Sequence, residues 1–455
     1  MRRALIVVLS VVLLSFALTS PASAATEAQK LTAILNGLAH LDAVQCNTAG
    51  STFGSWGTSQ CGGGYGDAFT GAALFAMLTQ QAKWPAGALA AKYATDVTNG
   101  ANYLLSTAST KTVSTNDNGV NICPGGAASC QAIYWNVCGS PTYCTGFVAA
   151  ALDTYALTKG VGNVATASGP LAGLTWTQVA QGITNAYAAG QATIKDVTDY
   201  GEPANGGWRY TIPSNDGSDM STAQWGALAA GYDESVNAVT PSNLKPALQQ
   251  WLAFDSLSGA ACYEGGTTTC GIGPTNSENG AWLVANSYAG GNSPAGVIAF
   301  LNTNWNTTAN GTWYGNFGHT YAMWSTYKGL ESAIGLSDQT HISNLKTNCG
   351  APNNLPGSGV CNWWEDYNEW LVNVTTRSTD GSGNLYWQGD TDESGWQDPL
   401  STAVFTAIIG AAALPNTITQ TTPASVPAIS RWGLVALGIL LVTFAAIKLR
   451  GPRTA

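Results

Sequence analysis

Acidic side chains and one histidine recur along this chain at the start of strongly apolar segments. The candidate catalytic residues are Asp219, Glu278, His319 and Asp398, with Asp67, Asp216 and Asp366 as further members of the group. Two carboxylates can hydrolyse a glycosidic bond, one as the acid and the other as base or nucleophile, and a histidine or tyrosine can serve as the base of a lyase. If the apolar segments are helices that start at one end of the molecule, these groups predict a glycan-cleaving site there.

Aromatic residues occupy the glycine-rich loops just before several of these segments. The predicted ligand-binding residues are Trp208, Trp313, Tyr314 and Trp396, together with Asp216. Aromatic rings combine a large apolar face with a polar tip, which suits stacking on the faces of sugars. The alternative is that these rings belong to the core, because Trp and Tyr side chains bury large areas.

A structural role competes with the catalytic one for each candidate. In the stretch 206–230, a glycine-rich loop turns into a helix that Asp219 or Ser221 can cap. A short side-chain oxygen at this position accepts from the free N–H groups of the first turn, and the helix dipole favours a carboxylate there. The same argument applies to the other acidic residues, and His319 is in an equivalent capping position.

The elements that would position these residues follow one pattern. Six times between Leu31 and Leu414, a segment with hydrophobic residues at helical spacing leads through a loop into a segment that is apolar on nearly every side. Helices without a polar face are buried all round, and no stretch alternates with a period of two for long enough to predict a sheet. We expect an all-α fold, an α/α toroid of six hairpins with inner helices wrapped by outer ones. The inner helices begin near Asp67, Cys144, Asp219, Glu278, His319 and Asp398.

Composition narrows the class of ligand. The chain has 455 residues, of which 45% are hydrophobic and only 9% charged, and its formal net charge is −9. Its 17 Lys and Arg residues form no basic patch, which excludes a nucleic-acid partner. The surface must then consist of Gly, Ser, Thr, Asn and Gln, which suits a neutral polar ligand such as a glycan.

The first 24 residues have the organisation of a secretory signal peptide. Arg2 and Arg3 precede an apolar run, and Ala22-Ser23-Ala24 fits the small-residue cleavage pattern. The body is therefore predicted to be exported into an oxidising compartment. The ten cysteines fall into neighbouring pairs, and we predict the local disulfides Cys46–Cys61, Cys123–Cys130, Cys138–Cys144, Cys262–Cys270 and Cys349–Cys361.

The C-terminal part departs from the helical pattern. Residues 415–430 are rich in Thr and Pro and are predicted to form a linker after a domain that spans 25–414. Residues 431–455 contain a continuous apolar run followed by Lys448, Arg450 and Arg453, which predicts a transmembrane helix with a cytoplasmic end. The expected location is the cell envelope or the extracellular side, with this helix as membrane anchor.

The body resembles the α/α-toroid superfamily of protein prenyltransferases, squalene–hopene cyclases and thioester domains. The resemblance depends on GGWRY (206–210) with DMSTAQWGALA (219–229), on WYGNFGHTYAMWSTYKGLE (313–331), and on WWEDYNEWLV (363–372) with SGWQDPLSTAVFTAIIGAAA (394–413). The tail VPAISRWGLVALGILLVTFAAIKLR (426–450) resembles a bacterial sorting signal that contains a Pro motif of the IPTL type. Such a tail implies an exosortase-like membrane protease as processing partner, although Arg431 stands where an acidic residue is common.

The superfamily resemblance implies chemistry whose residues this sequence lacks. The cyclases use an Asp-x-Asp-Asp run, which is absent, as is the Cys-Gly-Glu-Gln motif of thioester domains. His319 matches the position of the zinc-binding histidine of the prenyltransferases, but the expected Asp-x-Cys is replaced by Ser277-Glu278-Asn279-Gly280. We therefore expect neither a metal nor a cofactor, and whether the protein is an enzyme stays open.

The leading hypothesis is a surface module that binds a neutral polar ligand at the mouth of the ring. An enzyme that acts on glycans, or less readily on isoprenoids, and a structural protein of the envelope matrix are the alternatives. An enzyme needs two facing carboxylates, or a carboxylate facing His319, in a deep pocket. A terpenoid cyclase needs a large closed cavity, and a filled centre argues against it.

Overall fold

The computed structural model describes residues 25–193, 206–264, 270, 273–308, 313–346, 361–389 and 395–412. All of them belong to one of two compact units, which runs from Met1 to Thr419. The predicted signal peptide, linker and transmembrane segment lie outside the described residues. Within the described ranges, no helix is both long and apolar enough to cross a membrane.

Helices dominate the described part of the chain, as predicted. The odd-numbered helices are α1 (Glu27–Val44), α3 (Ala88–Thr107), α5 (Trp176–Gly190), α7 (Leu244–Phe254), α9 (Ala295–Asn304) and α11 (Trp363–Val372). The even-numbered helices are α2 (Gly66–Thr79), α4 (Pro141–Lys159), α6 (Met220–Ser235), α8 (Asn276–Ala289), α10 (Thr320–Ala333) and α12 (Leu400–Ile409). Several begin at capping residues, and Asp219 and His319 each accept a hydrogen bond from the first turn that follows.

In the described ranges, three short antiparallel hairpins interrupt the helices, and the sequence pattern did not predict them. They pair β1 (Ser109–Val113) with β2 (Cys130–Tyr134), β3 (Ser256–Leu257) with β4 (Ala260–Ala261), and β5 (Ser378–Thr379) with β6 (Leu385–Tyr386). Strands of two to five residues are too short to give a clear alternation in the sequence. All three hairpins lie in connections from an odd-numbered helix to the next even-numbered one.

The even-numbered helices contact one another in a closed order. Each packs against the next, from α2 to α12, and α12 returns to pack against α2. Glycines permit the closest approach, because a Cβ added to Gly280 on α8 would lie 2.4 Å from the main chain of α10 at Ser325. Burial on all sides explains why these helices lack a polar face.

A recurring tryptophan ties the end of an odd-numbered helix to the even-numbered helix that follows. The four examples are Trp56, Trp135, Trp208 and Trp387, whose Nε1 atoms donate to the carbonyl oxygens of Leu41, Leu104, Tyr187 and Leu371. The main chain of each is also hydrogen-bonded to a threonine near the start of the next helix, at Thr70, Thr145, Thr222 and Thr402. Four of the helix pairs are thus copies of one unit.

Four of the predicted disulfides are present. They join Cys46 to Cys61, Cys123 to Cys130, Cys138 to Cys144, and Cys262 to Cys270. Cys349, the partner predicted for Cys361, lies outside the described residues. All four bonds close loops in the connections from odd-numbered to even-numbered helices, at the end of the molecule where the even-numbered helices begin.

Candidate functional site

An open cavity of about 210 Å³ lies where several even-numbered helices begin. We call it the mouth cavity. Its lining residues are Tyr65, Ala68, Cys138, Ser140, Tyr143, Phe147, Tyr210, Trp313, Gly395, Trp396 and Leu400. None of these side chains carries a charge, and six of the eleven are aromatic. Apolar walls with a few hydroxyl groups are the usual composition of a site for a small neutral ligand.

The aromatic rings of the cavity differ in how firmly they are held. Trp396 is buried and lies 4.7 Å from the ring of Tyr321 and 6.1 Å from that of Tyr143. Trp313 is 49% exposed, and its ring is 5.5 Å from the imidazole of His319. The cavity therefore has a packed floor at Trp396 and an accessible ring at Trp313.

Asp219 lies beneath the aromatic wall and is connected to it by hydrogen bonds. Its Oδ1 accepts from the Ser221 hydroxyl at 2.6 Å and from the Thr222 N–H at 2.9 Å. The Tyr143 hydroxyl, which belongs to a lining residue, donates to the Ser221 hydroxyl at 2.7 Å. Burial raises the pKa of Asp219 to about 6, although the hydrogen bonds from Ser221 and Thr222 oppose the shift. The predicted helix cap is present, and it also supports the wall.

The second oxygen of Asp219 faces a polar group formed by Arg209 and two tyrosines. Tyr263 donates to Oδ2 at 3.4 Å, and the hydroxyl of Tyr263 is hydrogen-bonded to that of Tyr210. Arg209 Nε lies 3.8 Å from the same oxygen, while its Nη2 pairs with Glu264 at 2.6 Å. Asp219 is fully buried, so these groups separate its carboxylate from the cavity.

Asp255 is a further buried acid near Asp219, and no motif in the sequence pointed to it. Neither of its carboxyl oxygens has a hydrogen-bond partner, and its side chain is fully buried among the described residues. Burial, together with the charges of Asp219 and Glu278, raises the pKa of Asp255 well above its usual value. This shift favours the protonated, neutral form of the Asp255 carboxyl group.

Two other candidates lie at the starts of their own helices. His319 is fully buried, and its Nδ1 accepts from the Ala322 N–H at 3.2 Å, which is the capping role considered from the sequence. Because Nδ1 accepts, the ring proton of the neutral imidazole is on Nε2. Glu278 lies in the first turn of α8 and is also buried. Neither lines the mouth cavity.

The remaining acidic candidates are dispersed. Asp67 is buried and accepts from the Thr107 hydroxyl and the Val137 N–H, both at 2.9 Å. Asp366, on an odd-numbered helix, accepts from the indole of Trp305 at 2.7 Å. Asp216 is exposed and accepts from the Thr211 N–H at 3.3 Å. The structure thus does not bring Asp67, Asp216 and Asp366 together as facing catalytic groups.

Asp398 belongs to an arrangement that sequence reasoning missed. His40 on α1 lies between two carboxylates, with Nε2 2.9 Å from Asp398 and Nδ1 2.9 Å from Asp380. Because carboxylates only accept, both ring nitrogens must donate and the imidazole is charged. Burial lowers the pKa of His40, but the hydrogen bonds and charges of Asp398 and Asp380 outweigh it and raise the pKa above its usual value. We call these three residues the His40 clasp, because they join α1 to the start of α12.

The structure corrects the predicted role of Trp208. Its side chain is fully buried, its indole donates to Tyr187, and a Cβ on Gly226 would lie 2.5 Å from its ring. It is one of the four recurring tryptophans, so no ligand can stack on it in this structure. Trp313 and Trp396 line the cavity, whereas Tyr314 is 50% exposed beside it without being a lining residue.

Three lining tyrosines escaped the sequence analysis, namely Tyr65, Tyr143 and Tyr210. A signal was available for Tyr65 and Tyr210, because each lies in a glycine-rich loop that leads to an even-numbered helix, as Trp313 and Trp396 do. Tyr143 is inside the first turn of α4 and has no such marker.

The centre enclosed by the even-numbered helices is packed. The rings of Phe75, Phe147, Trp225, Tyr232 and Trp324 meet there, and we call them the central cluster. They leave a void of about 10 Å³, and the rings of Phe147 and Trp225 are 4.3 Å apart. A void of this size is at the lower limit for one water molecule. The central cluster thus leaves no room for a terpenoid chain.

Comparisons with known proteins add no relative: no family model, no curated protein and no solved structure matches this chain. Within the described ranges, no group of three or more His, Cys, Asp or Glu side chains is arranged to hold a metal ion. Any function must therefore be argued from the geometry of the mouth cavity.

Proposed function

We propose that this protein is an α/α-toroid module that binds a neutral glycan in the mouth cavity. The closed contact order of the six even-numbered helices supports the toroid, since each contacts its two neighbours and the last returns to the first. In such a ring the starts of all inner helices face one end. The loops that connect the helices are held by tryptophans and disulfides, and they would form a rigid edge around the mouth cavity.

One observation carries the binding proposal, namely an open cavity that is lined, in the described part of the chain, by aromatic rings and hydroxyl groups and by no charged side chain. Trp313 offers an accessible ring, and Trp396 a buried one. The volume of about 210 Å³ accommodates a ligand only partly, so a chain of sugars would extend beyond the cavity. A glycan suits these walls because its rings have apolar faces and neutral hydroxyl edges.

The positions of the acidic residues favour binding of a glycan over its cleavage. Cleavage of a glycosidic bond needs two carboxyl groups that flank it. Asp219, Glu278 and His319 are buried and do not line the cavity, and Asp398 is engaged by His40. Among the residues that the structure describes, no carboxylate lines the cavity.

A glycan lyase remains the second candidate because of one feature. Tyr210 lines the cavity, and its hydroxyl is linked through Tyr263 to Asp219, with Arg209 beside them. A tyrosine can act as a base when a cation stabilises its anion. Burial, however, raises the pKa of Tyr210, and so does the charge of Asp219. The ionised form that would act as the base is thereby disfavoured, and binding stays the leading proposal.

The proposed location of the protein rests on the sequence alone. An exported module carried by a C-terminal membrane segment, and processed by an exosortase-like enzyme, would present the mouth cavity outside the cell. A purely structural role in the envelope matrix would leave the cavity without a ligand, and the binding experiment separates the two.

The proposal is tested by titrating the full-length protein, purified in detergent, with four neutral hexasaccharides: cello-, malto-, manno- and N-acetylchitohexaose. Binding is followed by calorimetry, and the reaction mixture is analysed for shorter or unsaturated products. We expect at least one hexasaccharide to bind without being cleaved, and the Trp313→Ala variant to bind it at least tenfold more weakly. The control is Phe53→Ala, since Phe53 is 41% exposed but does not line the cavity.

Three results would change the proposal. Absence of binding for all four hexasaccharides contradicts it and favours the structural role. Equal losses in both variants place the binding surface elsewhere. Shorter products that disappear in Tyr210→Phe replace the binding module by a glycan-cleaving enzyme that uses this tyrosine.

A further inference from the structure

Tyr65 has a backbone conformation that its residue type disfavours. Its φ and ψ angles are 64° and 18°, in the left-handed region. In the described part of the chain, four other non-glycine residues have positive φ, and Tyr65 is the only one of the five that lines the mouth cavity. A side chain at such angles is crowded by the neighbouring carbonyl, and residues held in this way concentrate at functional sites.

The fold does not need a side chain at this position. Tyr65 lies between Gly64 and Gly66, immediately before α2, and a glycine would adopt the same angles without crowding. The Tyr65 carbonyl accepts from the Phe69 N–H at 3.0 Å, a contact that any residue can make. The strained conformation is thus the consequence of having a tyrosine where the turn favours glycine.

What the tyrosine contributes is part of the cavity wall. Its ring lies 5.9 Å from that of Phe69, nearly parallel to it, and on another side it rests against Gly395. A Cβ on Gly395 would lie 3.2 Å from the Tyr65 ring, so the wall depends on glycine there. Among the described residues, the Tyr65 hydroxyl makes no hydrogen bond to another protein group, and it is available to a ligand.

We infer that Tyr65 is a ligand-binding residue of the mouth cavity, whose side chain is retained for binding at the expense of the stability of the turn. The inference rests on the proposed glycan-binding function and assigns a residue that lines the same cavity as Trp313. Gly395, against which the Tyr65 ring rests, and Trp396 line this cavity too.

The test compares Tyr65→Gly with Ser258→Gly in the full-length protein. Ser258 also has a positive φ, of 53°, but it is exposed in a turn and does not line the cavity. Melting temperature and affinity for the hexasaccharide that binds best are measured for both. We expect both variants to melt at or above the wild-type temperature, and only Tyr65→Gly to bind at least tenfold more weakly. Tyr65→Phe shows how much of the loss is due to the hydroxyl.

The outcomes are distinct. If Tyr65→Gly binds like the wild type, the inference is overturned while the proposed function stands. If it melts clearly below both the wild type and Ser258→Gly, Tyr65 is a packing residue and the inference is also overturned. If the wild type binds none of the four hexasaccharides, the proposed function fails and the inference fails with it.

Discussion

The mouth cavity and the central cluster are built from the same residue types and differ in what those residues can do. In the central cluster, five rings from four even-numbered helices fill the space down to a void of about 10 Å³. In the mouth cavity, rings supplied mainly by loops leave about 210 Å³ open. Phe147 borders both, so only one layer of aromatic rings separates them. Aromatic content alone therefore says little about binding, and the position of each ring relative to the helix starts decides its role.

The largest effect is expected at the centre. Trp225 is 1% exposed and packs against Phe147, so Trp225→Ala should lower the free energy of unfolding by about 3–5 kcal/mol. Trp225→Phe should cost much less, because the indole N–H has no hydrogen-bond partner in the described structure. Urea unfolding followed by circular dichroism measures both. Equal stability of Trp225→Ala and the wild type would contradict a packed centre.

The buried acids predict that stability depends on pH. Burial raises the pKa values of Asp67 and Asp219 to about 6, and it also raises those of the hydrogen-bonded pair Asp153 and Asp233. Because the unfolded value is about 3.9, the folded state binds more protons above that pH, and its stability falls as the pH rises from about 4 through 6. We expect the free energy of unfolding to be lower at about pH 8 than at about pH 5 by on the order of 3 kcal/mol.

Urea titrations at the two pH values check this, and Asp153→Asn is the informative variant. Asn keeps the shape and removes one carboxyl of the pair, so the pH dependence should become weaker. A protein that is more stable at the higher pH would contradict the account of the buried acids. The stability of the folded state at low pH is limited by Asp380, whose protonation weakens its hydrogen bonds. Burial raises the pKa of Asp380, but the hydrogen bonds from His40 and Asn384 outweigh this effect and lower the pKa to about 2.

The His40 clasp should contribute to stability although it belongs to neither aromatic region. His40→Gln removes the charged donor to Asp380 and Asp398, at an expected cost of about 2–3 kcal/mol. The control is His341→Gln, because His341 pairs with Asp338 at the same distance of 2.9 Å but is half exposed. The control should change stability by less than about 0.5 kcal/mol. Equal effects of the two substitutions in urea unfolding would reject a structural clasp.

The smallest effect on stability is expected at the mouth. Trp313→Ala removes a ring that is half exposed, so the free energy of unfolding should change by less than about 0.5 kcal/mol. The same substitution should weaken glycan binding at least tenfold, equivalent to about 1.4 kcal/mol of binding free energy. Thermal unfolding and calorimetry on one preparation provide both values. A large loss of stability would make Trp313 a core residue like those of the central cluster.

Local patterns in the sequence predicted much of this structure. The helix pairs followed from the spacing of apolar residues, the Asp219 cap from its position before α6, and four disulfides from the nearness of their cysteines. Each of these features depends on residues less than about twenty positions apart.

Contacts between distant residues could not be predicted in the same way. Asp398 meets His40 across 358 positions, and nothing near either residue marks the other. The burial of Trp208 depends on Gly226 and on the end of α5, which become neighbours only when the chain has folded. The glycine-rich loop could have pointed to Tyr65, but its strained backbone angles are visible only in the structure.

The most direct test of the central claim is a crystal structure of the protein with the hexasaccharide that binds best. The account predicts sugar rings in the mouth cavity, stacked on Trp313 and reaching Trp396, with no sugar within the central cluster. A hexasaccharide bound at another surface, with the mouth cavity unchanged, would contradict it.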